Sequence, residues 1–224
     1  MTISVSLAKR DDGKIEINGF ELDAARWRLG PGSNVGLPVS LEETFQQLGS
    51  TGQLRGVVVG LIGPRDATPA QISAAEQIGY SLGQYGITLI CGGKSGVMEA
   101  ASRGCRNAGG MIIGILPGST ASEANDFVSV PLPTGLGEAR NMIIAKAARV
   151  LVAIGGSYGT LSEVAYGLHF SKPVIGLEGA AKIDGVNHVE SAGAAVRAVL
   201  DALVLASTRA EPTKNSDLRG GACV

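Results

Sequence analysis

Aromatic side chains make up only 4% of this 224-residue chain, whereas glycine occurs 33 times. So few rings and so many glycines fit tight strand-to-helix turns better than a β-sandwich. Charge is almost balanced, and a formal net charge of −1 argues against a surface that coats nucleic acid. Cysteine is limited to Cys91, Cys105 and Cys223, with no CxxC and no Cys/His spacing. That odd number speaks against a disulfide framework or a zinc site, and for reduced thiols in the cytoplasm. The two histidines, His169 and His188, have no metal partners at helical spacing and read as structural. No apolar run approaches the ~20 residues of a membrane span, and the first residues show no apolar leader segment.

Hydrophobic residues nevertheless reach 45%, enough for one α/β domain with a sizeable core. Ile3–Leu7 and Lys14–Asn18 alternate at period two around Asp11-Asp12-Gly13, which predicts a β-hairpin. Residues 29–38 are rich in Gly and Pro and read as a loop. Leu41–Leu48 reads as a helix, with Ser40 and Glu43 as a capping box. From Gly56 the pattern changes to apolar runs that alternate with helical spacing. Strands are predicted at Val57–Ile62, Ile87–Cys91, Met111–Leu116, Phe127–Val130, Arg149–Ile154 and Pro173–Leu177. Helices are predicted near 70–84, 97–105, 137–148, 160–169 and 192–206. The strands look apolar on both faces, so the expected fold is α/β: a doubly wound, mainly parallel, Rossmann-like sheet with an N-terminal β-hairpin extension. The domain reading is an extension and linker over 1–54, a nucleotide-binding domain over 55–207 and a mobile polar tail over 208–224.

Three glycine-rich turns follow predicted strands: Gly60-Leu61-Ile62-Gly63-Pro64-Arg65, Cys91-Gly92-Gly93-Lys94-Ser95-Gly96 and Gly155-Gly156-Ser157-Tyr158-Gly159-Thr160. In a parallel sheet all three leave the carboxyl ends of strands, the edge along which ligands bind. The third opens a helix, so its backbone N–H groups and the positive helix end form a ready phosphate site. None is a standard fingerprint. GxxxxGK[ST] is missing, and so is GxGxxG after residue 56, which argues against an NTPase and an NAD enzyme.

Cys91 to Glu99, the strand ending Ile115-Leu116-Pro117, Arg140, and Gly156 with Gly159-Thr160 and Glu163 together resemble the LOG (Lonely Guy) family, long labelled lysine decarboxylase. The resemblance covers roughly residues 56–180. The family motif is PGGxGTxxE, preceded by an Arg-Lys pair, and here Gly155, Ser157 and Asn141 replace its proline, second glycine and lysine. The resemblance implies a homodimeric Rossmann-like protein that releases the base from nucleoside 5′-monophosphates, including those with a modified adenine. A sister branch of molybdenum-cofactor carriers offers the alternative of a non-enzymatic binder of a phosphorylated ligand.

An N-glycosidic bond breaks through an oxocarbenium-like ribose, which a carboxylate can stabilise while it orients water. Glu163 is the candidate for that role. Arg140 is the candidate to face the charge that develops on the departing base. Gly156, Ser157, Gly159 and Thr160 are assigned to the 5′-phosphate, with Gly63, Gly92, Gly93 and Lys94 on the opposite wall. The expected partner is a small nucleotide or other phosphorylated ligand, in a homodimer or larger homo-oligomer, with no metal, cofactor, nucleic acid or membrane. Plainer roles stay open: Glu163 complementing the dipole in a first helical turn, Arg140 in a surface salt bridge, Thr160 as an N-cap, and Lys94 simply solvated.

Overall fold

The computed structural model describes residues 6–23, 28–32 and 36–209. Ile3, Ser4 and Val5 of the first predicted strand and residues 210–224 of the predicted tail lie outside that set. Near the N-terminus, β1 (Leu7–Lys9) and β2 (Ile15–Ile17) form the expected hairpin, closed where the Gly13 amide donates to the Arg10 carbonyl at 2.9 Å. The hairpin is not alone. With β3 (Phe20–Asp23), β4 (Arg28–Gly30) and β5 (Leu37–Pro38) it makes a five-stranded antiparallel sheet of order β4-β3-β2-β1-β5. The Gly/Pro-rich stretch read as a loop therefore contributes strand at both ends. Helix α1 (Leu41–Ser50) starts at the predicted capping box, in which Ser40 Oγ accepts from the Glu43 amide and Glu43 accepts from the Ser40 amide.

The rest of the described chain winds around a seven-stranded parallel sheet. In chain order it comprises β6 (Val58–Ile62), α2 (Pro69–Gln84), β7 (Thr88–Cys91), α3 (Val97–Asn107), β8 (Ile112–Leu116) and β9 (Val130–Pro133). Then come α4 (Asn141–Ala147), β10 (Val150–Ile154), α5 (Tyr158–His169), β11 (Val174–Leu177), β12 (Val186–His188) and α6 (Ala192–Arg209). The spatial order is β12-β11-β10-β6-β7-β8-β9. The chain builds outward from β6 to β9, then returns to lay β10 against the other side of β6. That reversal between β6 and β10 opens a crevice at their carboxyl ends.

Side-chain alternation along β10 assigns the two faces. Val150, Val152 and Ile154 enter a core with α2, α3, α6 and the N-terminal sheet, whereas Leu151 and Ala153 face α4 and α5. The antiparallel sheet and α1 thus share one continuous core with the parallel sheet.

Two predictions from the sequence shift. The strand expected at Phe127–Val130 lies at Val130–Pro133, because Asn125 folds the preceding residues into a turn. Its side chain accepts from the Phe127 amide at 3.1 Å, and its carbonyl accepts from Val128 at 3.2 Å. Pro131 and Pro133 are tolerated there because β9 is an edge strand. The helix expected over 137–148 splits into a 3₁₀ turn, Gly137–Arg140, followed by α4.

Helices α2 and α3 cross at close range through Gly79 and Gly104. A Cβ on Gly104 would press into the backbone carbonyl oxygen of Glu76. The apolar face of α3 is therefore spent inside this chain. Gly104→Ala is expected to destabilise the fold by about 1–3 kcal/mol, as overpacking against immovable backbone does. Urea denaturation checks this; an unchanged midpoint would contradict the close crossing.

Candidate functional site

The crevice at the switch between β6 and β10 is a cleft of about 610 Å³, the size range of small-ligand sites. Gly63–Asp66 after β6, Glu138–Asn141 before and at the start of α4, and Gly156–Glu163 after β10 contribute to its walls.

The turn after β10 begins at Gly155 with φ +65°, a left-handed conformation that glycine adopts freely. Ser157 is the N-cap of α5: its Oγ accepts from the Thr160 amide at 3.2 Å and lies 3.1 Å from Thr160 Oγ1. Thr160, for which a capping role stayed open beside phosphate binding, is not the cap and sits at the third helical position. The helix consequently starts at Tyr158, two residues earlier than predicted. Glu163 therefore falls in the second turn, beyond the reach of most of the dipole effect. The amides of Tyr158 and Gly159 are helix-start donors that no intrahelical carbonyl can satisfy.

Arg140 ends the 3₁₀ turn and is only 4% exposed. Gly92 makes room for it, since a Cβ there would come within 2.7 Å of Arg140 Nη2. Arg140 Nη1 lies 3.9 Å from Glu163 Oε1 and 4.0 Å from Glu138 Oε2. Glu138 also faces Arg65, at 3.7 Å. Neither carboxylate reaches hydrogen-bond distance of Arg140, and Arg140 Nε has no hydrogen-bond partner among the described residues. Glu163 is itself 6% exposed. Burial pushes its carboxyl up to about 8; Arg140 opposes that shift and Glu138 reinforces it.

The structure brings Arg140, Glu163, Gly63, Gly156, Ser157, Gly159 and Thr160 to one cleft. Gly92 lies behind Arg140. Gly93 and Lys94 stand apart from the cleft lining: Gly93 accepts from the Asn125 amide at 2.9 Å, and Lys94 Nζ pairs with Glu123 at 3.3 Å. Lys94 is thus neither freely solvated nor turned toward the ligand edge. Sequence reasoning overlooked Glu138 and Ser162. The signal for Glu138 was its position two residues before the candidate arginine in a glycine-bounded turn. Among the described residues no group of three or more His, Cys, Asp or Glu side chains is placed to hold a metal ion. Nor is any helix among them long and apolar enough to cross a membrane.

Comparison with known proteins fits this geometry. The model of the SLOG cluster4 family matches residues 56–203. A molybdenum cofactor binding protein from Rippkaea orientalis has a similar structure, with a TM-score of 0.61 and 34% identity over 65% of this chain and 96% of that one. The molybdenum cofactor carrier protein of Chlamydomonas reinhardtii is 36% identical, with a TM-score of 0.61 over 66% of this chain and 98% of its own. A probable cytokinin riboside 5′-monophosphate phosphoribohydrolase of rice, LOGL9, is 31% identical over 122 residues, which are 50% of this chain and 52% of that protein.

The raised Glu163 carboxyl has a consequence for stability. In the unfolded chain such a group ionises near pH 4.3, whereas in the fold it keeps its proton to about 8. Between those values the native state holds the extra proton, so stability falls as pH rises and levels off above about 8. Glu163→Gln removes this penalty. Relative to wild type, its advantage in urea denaturation is expected to grow between pH 4 and 8, approaching roughly 3–5 kcal/mol. An advantage that stays constant with pH would contradict a buried, proton-holding carboxyl.

Proposed function

On the premise that the chain belongs to the SLOG cluster4 family, we propose that its cleft binds a purine ribonucleoside 5′-monophosphate and hydrolyses the N-glycosidic bond. The observation that carries this reading is a buried carboxyl, Glu163, facing a buried guanidinium, Arg140, at 3.9 Å beside a helix-start anion site.

The 5′-phosphate sits against the amides that open α5, between Gly156 and Thr160. This places the sugar along the wall that leads to Glu163. As the C1′–N bond lengthens, positive charge grows on the ribose and negative charge on the base. Ionised Glu163 stabilises the former and takes a proton from the attacking water, whose oxygen bonds to C1′. Arg140 faces the departing base, which leaves with the bonding pair and picks up a proton. The products are the free base and ribose 5-phosphate.

A second reading has its own support, because the molybdenum cofactor binding protein from Rippkaea and the carrier protein from Chlamydomonas match this chain over nearly their whole lengths. On that reading the cleft retains a phosphorylated pterin-type ligand without turnover.

Incubation with a panel of nucleoside 5′-monophosphates, with chromatography for free base, separates the two. Base release is expected, and Glu163→Gln and Arg140→Ala should each lower it by ~10²-fold or more. Wild-type kcat/KM should rise with pH to a plateau above about 8, as the Glu163 carboxyl ionises. Retention of ligand with no base released from any nucleotide would favour the carrier.

The assembly proposed with this function is a homodimer that pairs through α4 and α5, where Met142, Tyr158 and Leu161 are exposed. Light scattering after gel filtration should give twice the 22.8 kDa chain mass, and Met142→Glu with Leu161→Glu should halve it. A wild-type monomer would remove this assembly.

A further inference from the structure

The cleft holds a cation that the hydrolysis leaves unused. Arg65 follows β6 in the turn Gly63-Pro64-Arg65 and lines the cleft, with its side chain 51% exposed. The backbone beneath it is fixed. The Pro64 carbonyl accepts from the Val97 amide at 3.1 Å, and a Cβ on Gly96 would press into the Arg65 carbonyl oxygen. The guanidinium, in contrast, is weakly held. Its ion-pair partner among the described residues is Glu138, at 3.7 Å, beyond hydrogen-bond distance. The Glu138 side chain is 69% exposed, and a pair so open to water contributes little to the fold. Glu138 also stands 4.0 Å from Arg140. One accessible carboxylate thus sits between two guanidiniums, too far from either for a hydrogen bond.

The turn that carries Arg65 borders the helix start assigned to the phosphate. β6 and β10 are neighbours in register, with Ile62 opposite Ala153. Past the strand ends the two turns touch, since a Cβ on Gly63 would come within 2.6 Å of the Ile154 carbonyl oxygen. Arg65 comes shortly after that contact on one turn, and Ser157, the N-cap of α5, on the other. Both line the same cleft. Adjacent strands lie about 4.8 Å apart, so the gap between their turns is within the reach of an arginine side chain. The amides that open α5 grip a phosphate from the β10 side. We infer that Arg65 is a further ligand-binding residue, whose guanidinium exchanges Glu138 for the phosphate monoester at the start of α5 and holds it from the β6 side. A guanidinium binds phosphate through two parallel N–H···O bonds, which outmatch an exposed ion pair at 3.7 Å. Glu138 therefore competes with the ligand for Arg65. The inference rests on the anion site of the nucleotide reading above and adds the facing cation to it.

Titration calorimetry on the full chain at low ionic strength tests the inference, with ribose 5-phosphate as the probe because it has no glycosidic bond left to cut. A pair that merely ties the turn after β6 to the turn before α4 is broken alike from either end. A change of partner gives the two ends opposite signs. Arg65→Ala should weaken ribose 5-phosphate ~10-fold. Glu138→Gln, which removes the competitor, should tighten it ~2–5-fold. In the Arg65→Ala background that gain should disappear, because it acts through Arg65. Both side chains are more than half exposed, so the variants are expected to keep the wild-type urea midpoint. Weaker binding in both single variants, or an undiminished gain from Glu138→Gln in the Arg65→Ala background, overturns the inference. Unchanged binding in Arg65→Ala overturns it too and leaves the nucleotide reading standing. No binding of ribose 5-phosphate to wild type removes the anion site, and the nucleotide reading falls with this contact.

Discussion

An under-compensated buried cation organises the cleft. Removing a guanidinium from water is costly unless opposite charge and hydrogen bonds replace its hydration. Arg140 is given two carboxylates, yet both stop near 4 Å, and its Nε has no partner among the described residues. One of those carboxylates, on Glu163, is buried deeply enough to hold a proton at neutral pH, which weakens the compensation further. Such an arrangement is more costly than a closed salt bridge, and an anionic or electron-rich ligand would complete it. The surrounding residues accommodate that arrangement. Gly92 gives up a side chain so that the guanidinium fits, and Asn141 ties the α4 start to the first turns of α5.

The parallel sheet supplies the rigidity that this strain requires. Arg140 and Glu163 approach the cleft from opposite flanks of β10, one on the turn before α4 and the other on α5. β10 is buried along its whole length and pairs with β6 on one side and β11 on the other. The elements that carry the two functional side chains are thus joined through a fully buried central strand. Loops at a switch point in the strand order can vary in sequence while the strands beneath them hold the geometry.

Much of this was legible in the amino-acid pattern. The strands from Val58 to Leu177 that are buried on both faces appear as continuous apolar runs, and most begin within a residue of their observed start. The capping box at Ser40 and Glu43 announced α1. Legibility failed where tertiary pairing overrules local chemistry. Pro131 and Pro133 look like loop residues and become strand only because β9 is an edge. Val186–His188 is too short and polar to read as a strand, and pairs because β11 lies beside it. Lys94 finds Glu123, 29 positions away, which no local spacing could indicate. The helix start moved because a serine hydroxyl, not the threonine three residues on, took the cap. Arg140 and Glu163 were paired on family resemblance; only the coordinates add that both are shielded from water.

Gly155 gives the altered motif a mechanical explanation. The backbone there turns through φ +65°, whereas a proline ring holds φ near −65°. The amide of Gly155 also donates to the Leu177 carbonyl at 3.0 Å, a bond that a ring nitrogen cannot make. Gln71 of α2 lies over the turn where a Cβ at 155 would project, and its Nε2 donates to the Glu178 carbonyl at 3.0 Å. Glycine 155, glutamine 71 and the end of β11 thus form one interlocked joint. Introducing the family motif's proline by itself would jam that joint rather than rebuild a family loop, so the two motif variants are not interchangeable one residue at a time.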